Sequence, residues 1–235
     1  MRVLSFDLRG AIAHFRRPDT FGTQSTYPIP TPTALSGLAA SVLGLPELPE
    51  RAMLGLELLA PVRTVAQELS LHGKTWVSGG DAAGFSRPTS IELVVAPRYR
   101  VHYHGPLLDE LSARIRDSRS TYHTYLGAAF CLTFPLFVAE GERPAMAAAP
   151  EGQGAITCRS AVPSAAVARL ECAEEHQYCR VGGVPVRVEP GRKFRGTTSV
   201  LFESAGGPMR IVPRASPDAS WVFCDGGDGT WICLW

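Results

Sequence analysis

Lysine is nearly absent from this 235-residue chain, since Lys74 and Lys193 are the only lysines among its 23 basic residues. The others are arginines, whose forked guanidinium groups suit phosphates and stack on flat rings. The 22 acidic residues leave a net charge of +1. This net charge is therefore too small to attract polyanions by itself.

Long apolar runs, leader-like segments and metal motifs are also missing. No apolar run reaches the roughly 18 residues of a membrane span, and the first residues form a strand pattern instead of a signal peptide. The six cysteines form no Cys-x-x-Cys pair and have no histidine at zinc spacing. We expect reduced, mostly buried thiols, no metal or other cofactor, and a cytoplasmic protein without membrane contact.

Hydrolase and nucleotide-binding motifs are absent as well: the chain has no G-x-S-x-G, H-E-x-x-H, Walker or G-x-G-x-x-G segment in the required context. His102 and His104 would share one face of a strand. With a nearby tyrosine, they could in principle cleave RNA by metal-free acid–base chemistry. The alternative is that they are ordinary surface residues of an edge strand.

The stretch 16–45 contains the best-specified helix. Thr31 can cap it through its hydroxyl, Pro32 suits its first position, and Gly44 suits a left-handed end. The predicted helix runs over 32–44 and follows a basic, aromatic loop. Its N-terminus could bind an anion such as phosphate, or it could be a well-capped core helix without a ligand.

Strand patterns lie on both sides of this helix. Alternating apolar residues predict a half-buried strand over 2–15, with a bulge or an end at Gly10. Residues 52–71 predict a long strand bent at Pro61, although 65–71 also fit a helical turn.

The next segments continue this alternation of elements. A glycine-rich stretch at 73–87 suits a mobile hairpin or, alternatively, an unstructured surface loop. Residues 90–104 form the strongest strand pattern. An amphipathic helix is predicted over 106–119, and a loop followed by a buried strand over 121–139.

The predicted order is strand, helix, strand, strand, helix, strand. We therefore expect an α+β chain whose first domain, 1–139, is ferredoxin-like (RRM-like, βαββαβ), a fold that many RNA-binding modules use. Residues 140–155 lose all periodicity and predict a linker. Short β-type runs separated by glycine turns predict a small antiparallel β domain over 156–235.

With these residues laid out, the chain resembles the Cas-five (Cas5) family of CRISPR-associated proteins in the RAMP superfamily. Three segments carry the resemblance: FDLRGAIAHFRRPDT with TYPIPTPTALSGLAASVLGL, then RPTSIELVVAPRYRVHY, then STYHTYLGAAF. They span residues 3 to about 138 in the family's order and spacing. The chain length and the second segment are most similar to the type I-B branch.

The resemblance implies an RNA-binding subunit of a type I CRISPR surveillance complex, Cascade. Such a subunit holds the 5′ handle of the guide crRNA, caps the backbone of Cas-seven (Cas7) subunits and contacts the large subunit of Cas-eight (Cas8) type. Target DNA is reached indirectly, through the complex. A protruding β-hairpin thumb, here about 73–87, would pack against the neighbouring backbone subunit.

The resemblance and the residue chemistry together give a set of candidate RNA-binding residues. Arg16 and Arg17 would neutralise handle phosphates, and Tyr27 would either stack on a splayed base or plug the core. The others would act from the helix start and from the thumb: Thr31, Thr33, Ser36, Lys74, Trp76 and Arg87.

One branch of the family, in type I-C systems, trims precursor crRNA without metal by using a tyrosine, a lysine and a histidine. This sequence has no Lys-His pair after the third strand. We therefore expect no catalytic residue and a separate Cas-six (Cas6) nuclease. The alternative is a metal-independent endoribonuclease that uses Tyr27 with His102 or His104.

Overall fold

Strands make up most of the regular structure. A computed structural model describes residues 1–20, 23–72, 86–146, 154–189, 193–216 and 218–235, and within these ranges it has two α-helices, α1 (Pro32–Leu43) and α2 (Leu108–Arg116). The strands are β1 (Arg2–Arg9), β2 (Ile12–Ala13), β3 (Phe15–Arg16), β4 (Thr26–Tyr27), β5 (Met53–Leu58), β6 (Thr64–His72), β7 (Ser86–Val95), β8 (Arg98–His104), β9 (Leu136–Glu142), β10 (Ile156–Cys158), β11 (Val162–Pro163), β12 (Val167–Glu171), β13 (Tyr178–Glu189), β14 (Lys193–Glu203), β15 (Met209–Pro213), β16 (Val222–Gly227) and β17 (Thr230–Leu234).

The central sheet has the spatial order β5-β8-β1-β9, and its neighbouring strands are antiparallel. Leu4, Phe6 and Leu8 of β1 are buried in the same core as both helices. Because side chains alternate along a strand, Ser5, Asp7 and their neighbours form a second, polar face. When β2–β4 and the β6–β7 pair are set aside, the chain order is the predicted strand, helix, strand, strand, helix, strand.

The best-specified helix of the sequence is confirmed as α1. The Thr31 hydroxyl accepts a hydrogen bond from the Ala34 N–H at 3.2 Å, and Pro32 begins the helix. Gly44 ends it at a φ of 77°, where an added Cβ atom would lie 2.7 Å from the Thr121 hydroxyl. Glycine at this position is therefore favoured both by the left-handed backbone and by lack of space.

The prediction of a single strand over 90–104 is wrong. The strand is interrupted at Ala96 and Pro97, and the strands before and after these residues belong to different sheets. β7 pairs with β2 and β6, whereas β8 lies inside the central sheet. Ala96 between them has a φ of 46°, and Pro97 has no N–H to continue a ladder. The apolar alternation on both sides hides this break in the sequence.

The long strand predicted over 52–71 is likewise two strands, β5 and β6, separated at Pro61. β6 pairs with β7 along its whole length, from Thr64 opposite Val94 to His72 opposite Ser86. The helical alternative for this segment is therefore wrong. The thumb predicted at about 73–87 falls mainly on 73–85, which lie outside the described residues.

The loop and the strand predicted over 121–139 are both present, but the strand is not buried as predicted. Residues 121–134 form an irregular loop with an isolated bridge between Tyr125 and Leu132. β9 begins only at Leu136, directly after Pro135, and forms a partly exposed edge of the central sheet. Proline has no N–H for a ladder, which accounts for the late start.

The predicted linker over 140–155 begins inside β9. The Met146 N–H donates to the Phe223 carbonyl at 2.7 Å, so this part of the segment is joined to β16. Residues 147–153 of the predicted linker lie outside the described residues.

The β-type runs predicted in the second half are confirmed as β13–β17, and β10–β12 complete sheets of order β12-β15-β10-β17-β16 and β11-β14-β13. This half packs beside β5, where Leu54 and Trp235 exchange backbone hydrogen bonds of 3.0 and 3.3 Å. Gly55 permits the approach, because a Cβ atom there would lie 2.8 Å from the Cys233 carbonyl oxygen. The six cysteines are free and four of them are buried.

Candidate nucleic-acid interface

Strand β3 and the residue after it place neighbouring arginines in different surroundings. Arg16 lies opposite Thr26 of β4, is exposed, and its side chain has no hydrogen bond or ion pair with the described residues. Arg17 instead pairs with Asp19 at 2.8 Å and lies 5.5 Å from the centre of the Tyr27 ring. Its hydrogen bond lowers the pKa of the Asp19 carboxyl. Arg16 is therefore the more available of the two for a phosphate.

Tyr27 lies in the core and not on the surface. It is only 3% exposed, and its hydroxyl donates to the Gly183 carbonyl oxygen on β13 at 2.6 Å. Burial raises the pKa of this hydroxyl. The structure therefore corrects the base-stacking prediction in favour of its alternative, since a base could reach the ring only if Tyr27 left the core.

The start of α1 has few groups left for an anion. Thr31 is 6% exposed, and its hydroxyl lies 2.9 Å from the Thr33 hydroxyl and accepts from Ala34. The Leu35 N–H donates to the Thr31 carbonyl, and proline at the first position has no N–H. Ser36 is half-buried one position further along. The geometry favours the well-capped core helix over the phosphate cradle.

The thumb residues Lys74 and Trp76 lie outside the described residues. Arg87 lies on β7 opposite Leu71 of β6, near the point where the described part of the hairpin ends. Arg16 is therefore a candidate RNA-binding residue that is exposed and whose side chain has no partner among the residues that the structure describes.

A buried polar cluster occupies the second face of the central sheet. His102 is 1% exposed; its Nδ1 lies 2.8 Å from the Ser5 hydroxyl, and its Nε2 lies 3.2 Å from Glu57 Oε2. Arg159 pairs with the other Glu57 oxygen at 2.5 Å. Burial lowers the pKa of His102, so the imidazole is neutral, and the tautomer that fits donates to Glu57 and accepts from Ser5.

The same cluster contains a buried carboxylate. Burial by itself would raise the pKa of Glu57, but the hydrogen bond with His102 and the charges of Arg159 and Arg100 bring the pKa below its usual value. Glu57 is therefore ionised and paired, which is the condition for a charge to be tolerated in a protein interior.

The tyrosine and histidines of the endoribonuclease alternative are not brought together. Tyr27 belongs to the core on the helix side of the sheet, whereas His102 faces the opposite, polar side. His104 Nδ1 lies 2.7 Å from the Arg2 carbonyl oxygen. These three side chains are each engaged with other parts of the protein.

Sequence reasoning missed a pair of arginines at the open end of the polar face. Arg9 and Arg98 are register partners on β1 and β8, and both are exposed. Neither side chain has a hydrogen bond or ion pair with any described residue. The alternation of β1 places Asp7 and Arg9 on one face, but only the sheet register reveals that Arg98 lies opposite.

Within the described ranges, no helix is both long enough and apolar enough to cross a membrane. The same ranges contain no group of three or more histidine, cysteine, aspartate or glutamate side chains placed to hold a metal ion.

Comparison with known proteins shows a family whose model matches most of the chain. The model of a family described as CRISPR-associated protein (Cas5) matches residues 3–174. No curated protein matches the chain.

Two solved structures are similar over almost the whole chain. A CRISPR protein from Archaeoglobus fulgidus has a TM-score of 0.59 at 12% identity, with 99% of this chain and 99% of that chain covered. A chain from a CRISPR RNA-guided surveillance complex has a TM-score of 0.56 at 15% identity, with 92% of this chain and 95% of that chain covered. At these identities the similarity shows a shared fold.

Proposed function

Because the chain belongs to the Cas5 family of CRISPR-associated proteins, we propose that it is a subunit of a type I CRISPR surveillance complex (Cascade) that binds guide crRNA. In this proposal it holds the 5′ handle, caps the Cas7 backbone and contacts a Cas8-type large subunit in the cytoplasm. The family match and the fold shared with a chain of an RNA-guided surveillance complex support this proposal. The type I-B assignment is the finer part of the proposal and comes from the sequence resemblance.

The proposal includes a ferredoxin-like first domain. The sheet order β5-β8-β1-β9 corresponds to fourth, first, third and second strands when it is read from the β9 edge, and both helices share one core with the sheet. These features support the split βαβ plan. The β6–β7 hairpin, inserted between the second and third of these strands, would be the base of the thumb.

Arg16 is the observation that carries the RNA-binding proposal. Its guanidinium is exposed beside a paired arginine and has no acceptor among the described residues. An arginine in this state can form a charge-assisted, forked contact with a phosphate without first breaking an internal ion pair. Arg17 would have to give up Asp19 to do the same.

We propose that the subunit is not an enzyme. Both ring nitrogens of His102 and the hydroxyl of Tyr27 are engaged in the interior, and these contacts support a structural role for each. Processing of the crRNA would then belong to a separate nuclease of the complex.

The test is an anisotropy titration of the full chain with labelled repeat RNA. We expect Arg16→Ala to weaken binding about tenfold, because a hydrogen-bonded charge contact is lost. Arg51→Ala is the matched control, since Arg51 is exposed and has no side-chain partner among the described residues, but precedes β5 at the other end of the central sheet. Equal affinities for the two variants would contradict the role of Arg16.

A further inference from the structure

Three chain segments meet at the open end of the polar face. The Gly10 N–H donates to the Pro97 carbonyl at 3.3 Å, and the Thr133 hydroxyl donates to the Arg9 carbonyl at 2.8 Å. These contacts place the ends of β1 and β8 beside the loop 121–134. The exposed side chains at this junction are called the Arg9 surface: Arg9, Arg98, Tyr125, Leu132 and Phe134.

The Arg9 surface carries two positive charges on neighbouring strands. Arg9 and Arg98 lie directly opposite each other, so their side chains project from the same face. Two like charges in this position destabilise a sheet. Neither has an acceptor among the described residues, whereas Arg100, two residues further along β8, is paired with Asp7 at 2.8 Å. An anion bound at Arg9 and Arg98 would remove the repulsion.

The loop adds two aromatic side chains and one aliphatic side chain, all exposed, to this junction. Tyr125, Leu132 and Phe134 are 43%, 54% and 65% exposed, and Leu126 and Thr133 between them point inward. The sequence from 120 to 139 contains no Asp, Glu, Lys or Arg. Exposed aromatic rings next to unpaired arginines are the combination with which proteins bind a single strand, since each nucleotide offers a ring and a phosphate.

We infer that the Arg9 surface binds a single-stranded polynucleotide, with phosphates at Arg9 and Arg98 and bases against Phe134 and Tyr125. A protein partner would have to bring two carboxylates to adjacent positions, whereas a polynucleotide carries a charge at every residue. The inference rests on the proposed function only in taking the chain to work beside RNA. It requires neither the handle sequence nor Arg16.

The experiment uses the full chain and labelled oligonucleotides of roughly 12 residues, oligouridine and oligothymidine, over a range of salt concentrations. We expect Arg9→Ala with Arg98→Ala to weaken binding about tenfold and to reduce the slope of log affinity against log salt by about 1.4, or about 0.7 for each phosphate contact. The matched control is Arg51→Ala with Arg214→Ala, which removes the same charge from other exposed positions. Equal losses with both oligonucleotides indicate a shared backbone site, and a loss with one identifies the nucleic acid.

The aromatic part of the surface is tested separately. We expect Phe134→Ala to weaken oligonucleotide binding about fivefold, with little change in the salt slope, because stacking is lost and charge is not. Phe194→Ala is the control, since Phe194 is 59% exposed on β14. Folding is checked by thermal unfolding, in which the double arginine variant should be at least as stable as the unmodified protein.

The inference is overturned if neither oligonucleotide binds or if the double arginine variant behaves like its control. It is also overturned if that variant leaves oligonucleotide binding intact but prevents assembly with the Cas7 and large subunits, since the surface is then a protein interface. Failure of the proposed function has a different readout: repeat RNA would bind no more tightly than oligouridine of equal length. The two failures can therefore be told apart.

Discussion

The polar face of the central sheet is covered at one end and open at the other. At the covered end, Ser5, His102 and Glu57 are buried, and each side chain has a partner within the protein. At the open end, Arg9 and Arg98 are exposed register partners without a side-chain partner among the described residues. Both ends lie on β1 and β8, so the difference arises from what the rest of the chain places over each.

This comparison separates structural polar groups from available ones. A buried polar group without a partner is costly, so the polar groups of the covered end must be satisfied within the protein. An exposed arginine without an acceptor can instead pair with a ligand. The same contrast distinguishes Arg17, which is paired with Asp19, from Arg16, whose side chain has no partner among the described residues.

The largest expected effect comes from breaking the covered end. Glu57→Ala would leave His102 and Arg159 without their carboxylate, so we expect the free energy of unfolding to fall by about 3 kcal/mol. Urea denaturation measures this loss. Glu47→Ala is the control, because Glu47 is exposed and has no side-chain partner among the described residues. A loss as small as the control's would mean that the cluster is not structural.

A smaller effect is expected at Tyr27. Tyr27→Phe removes the hydroxyl that donates to Gly183, and we expect a loss of about 1 kcal/mol in the free energy of unfolding with unchanged affinity for RNA. Tyr125→Phe, at an exposed tyrosine, should leave stability unchanged. Weaker RNA binding by folded Tyr27→Phe would restore Tyr27 to the interface.

The smallest expected effect is a dependence of stability on pH. Burial lowers the pKa of His102 below its ordinary value of 6.5, so the unfolded chain binds the proton at a higher pH than the folded protein does. The stabilisation is fully present above about pH 6.5 and is lost as the pH falls towards the folded pKa. Burial also lowers the pKa of His14, which adds to the same slope.

His102→Gln isolates one part of this slope. We expect the midpoint of thermal unfolding to fall less between about pH 7 and pH 5 than it does in the unmodified protein, because the contribution of His102 is removed. An unchanged slope would mean that His102 takes up no proton on unfolding in this range.

Local signals account for what could be predicted from the sequence. α1 was predictable because Thr31, Pro32 and Gly44 determine the start and the end of the helix through local contacts and backbone conformation. The break before β8 was missed, although Pro97 was visible, because apolar alternation continues on both sides of it. A proline can therefore end a strand even where the apolar alternation continues, if the strands on its two sides belong to different sheets.

The site depended on contacts between distant parts of the chain. The hydroxyl of the buried Tyr27 is hydrogen-bonded to Gly183 of β13, which is distant in sequence. Arg9 lies opposite Arg98 because of the register of the central sheet. Neither follows from the residues next to them. Arg16 could be identified from its basic loop, but its difference from Arg17 became visible only with the ion pair to Asp19.

In the most direct test of the proposed function, the full chain is incubated with end-labelled repeat RNA in excess EDTA, and the products are run on native and denaturing gels. We expect an RNA that is shifted on the native gel and intact on the denaturing gel, with the shift weakened by Arg16→Ala. A discrete cut upstream of the handle would contradict the proposed function, because the protein would then be a metal-independent processing nuclease.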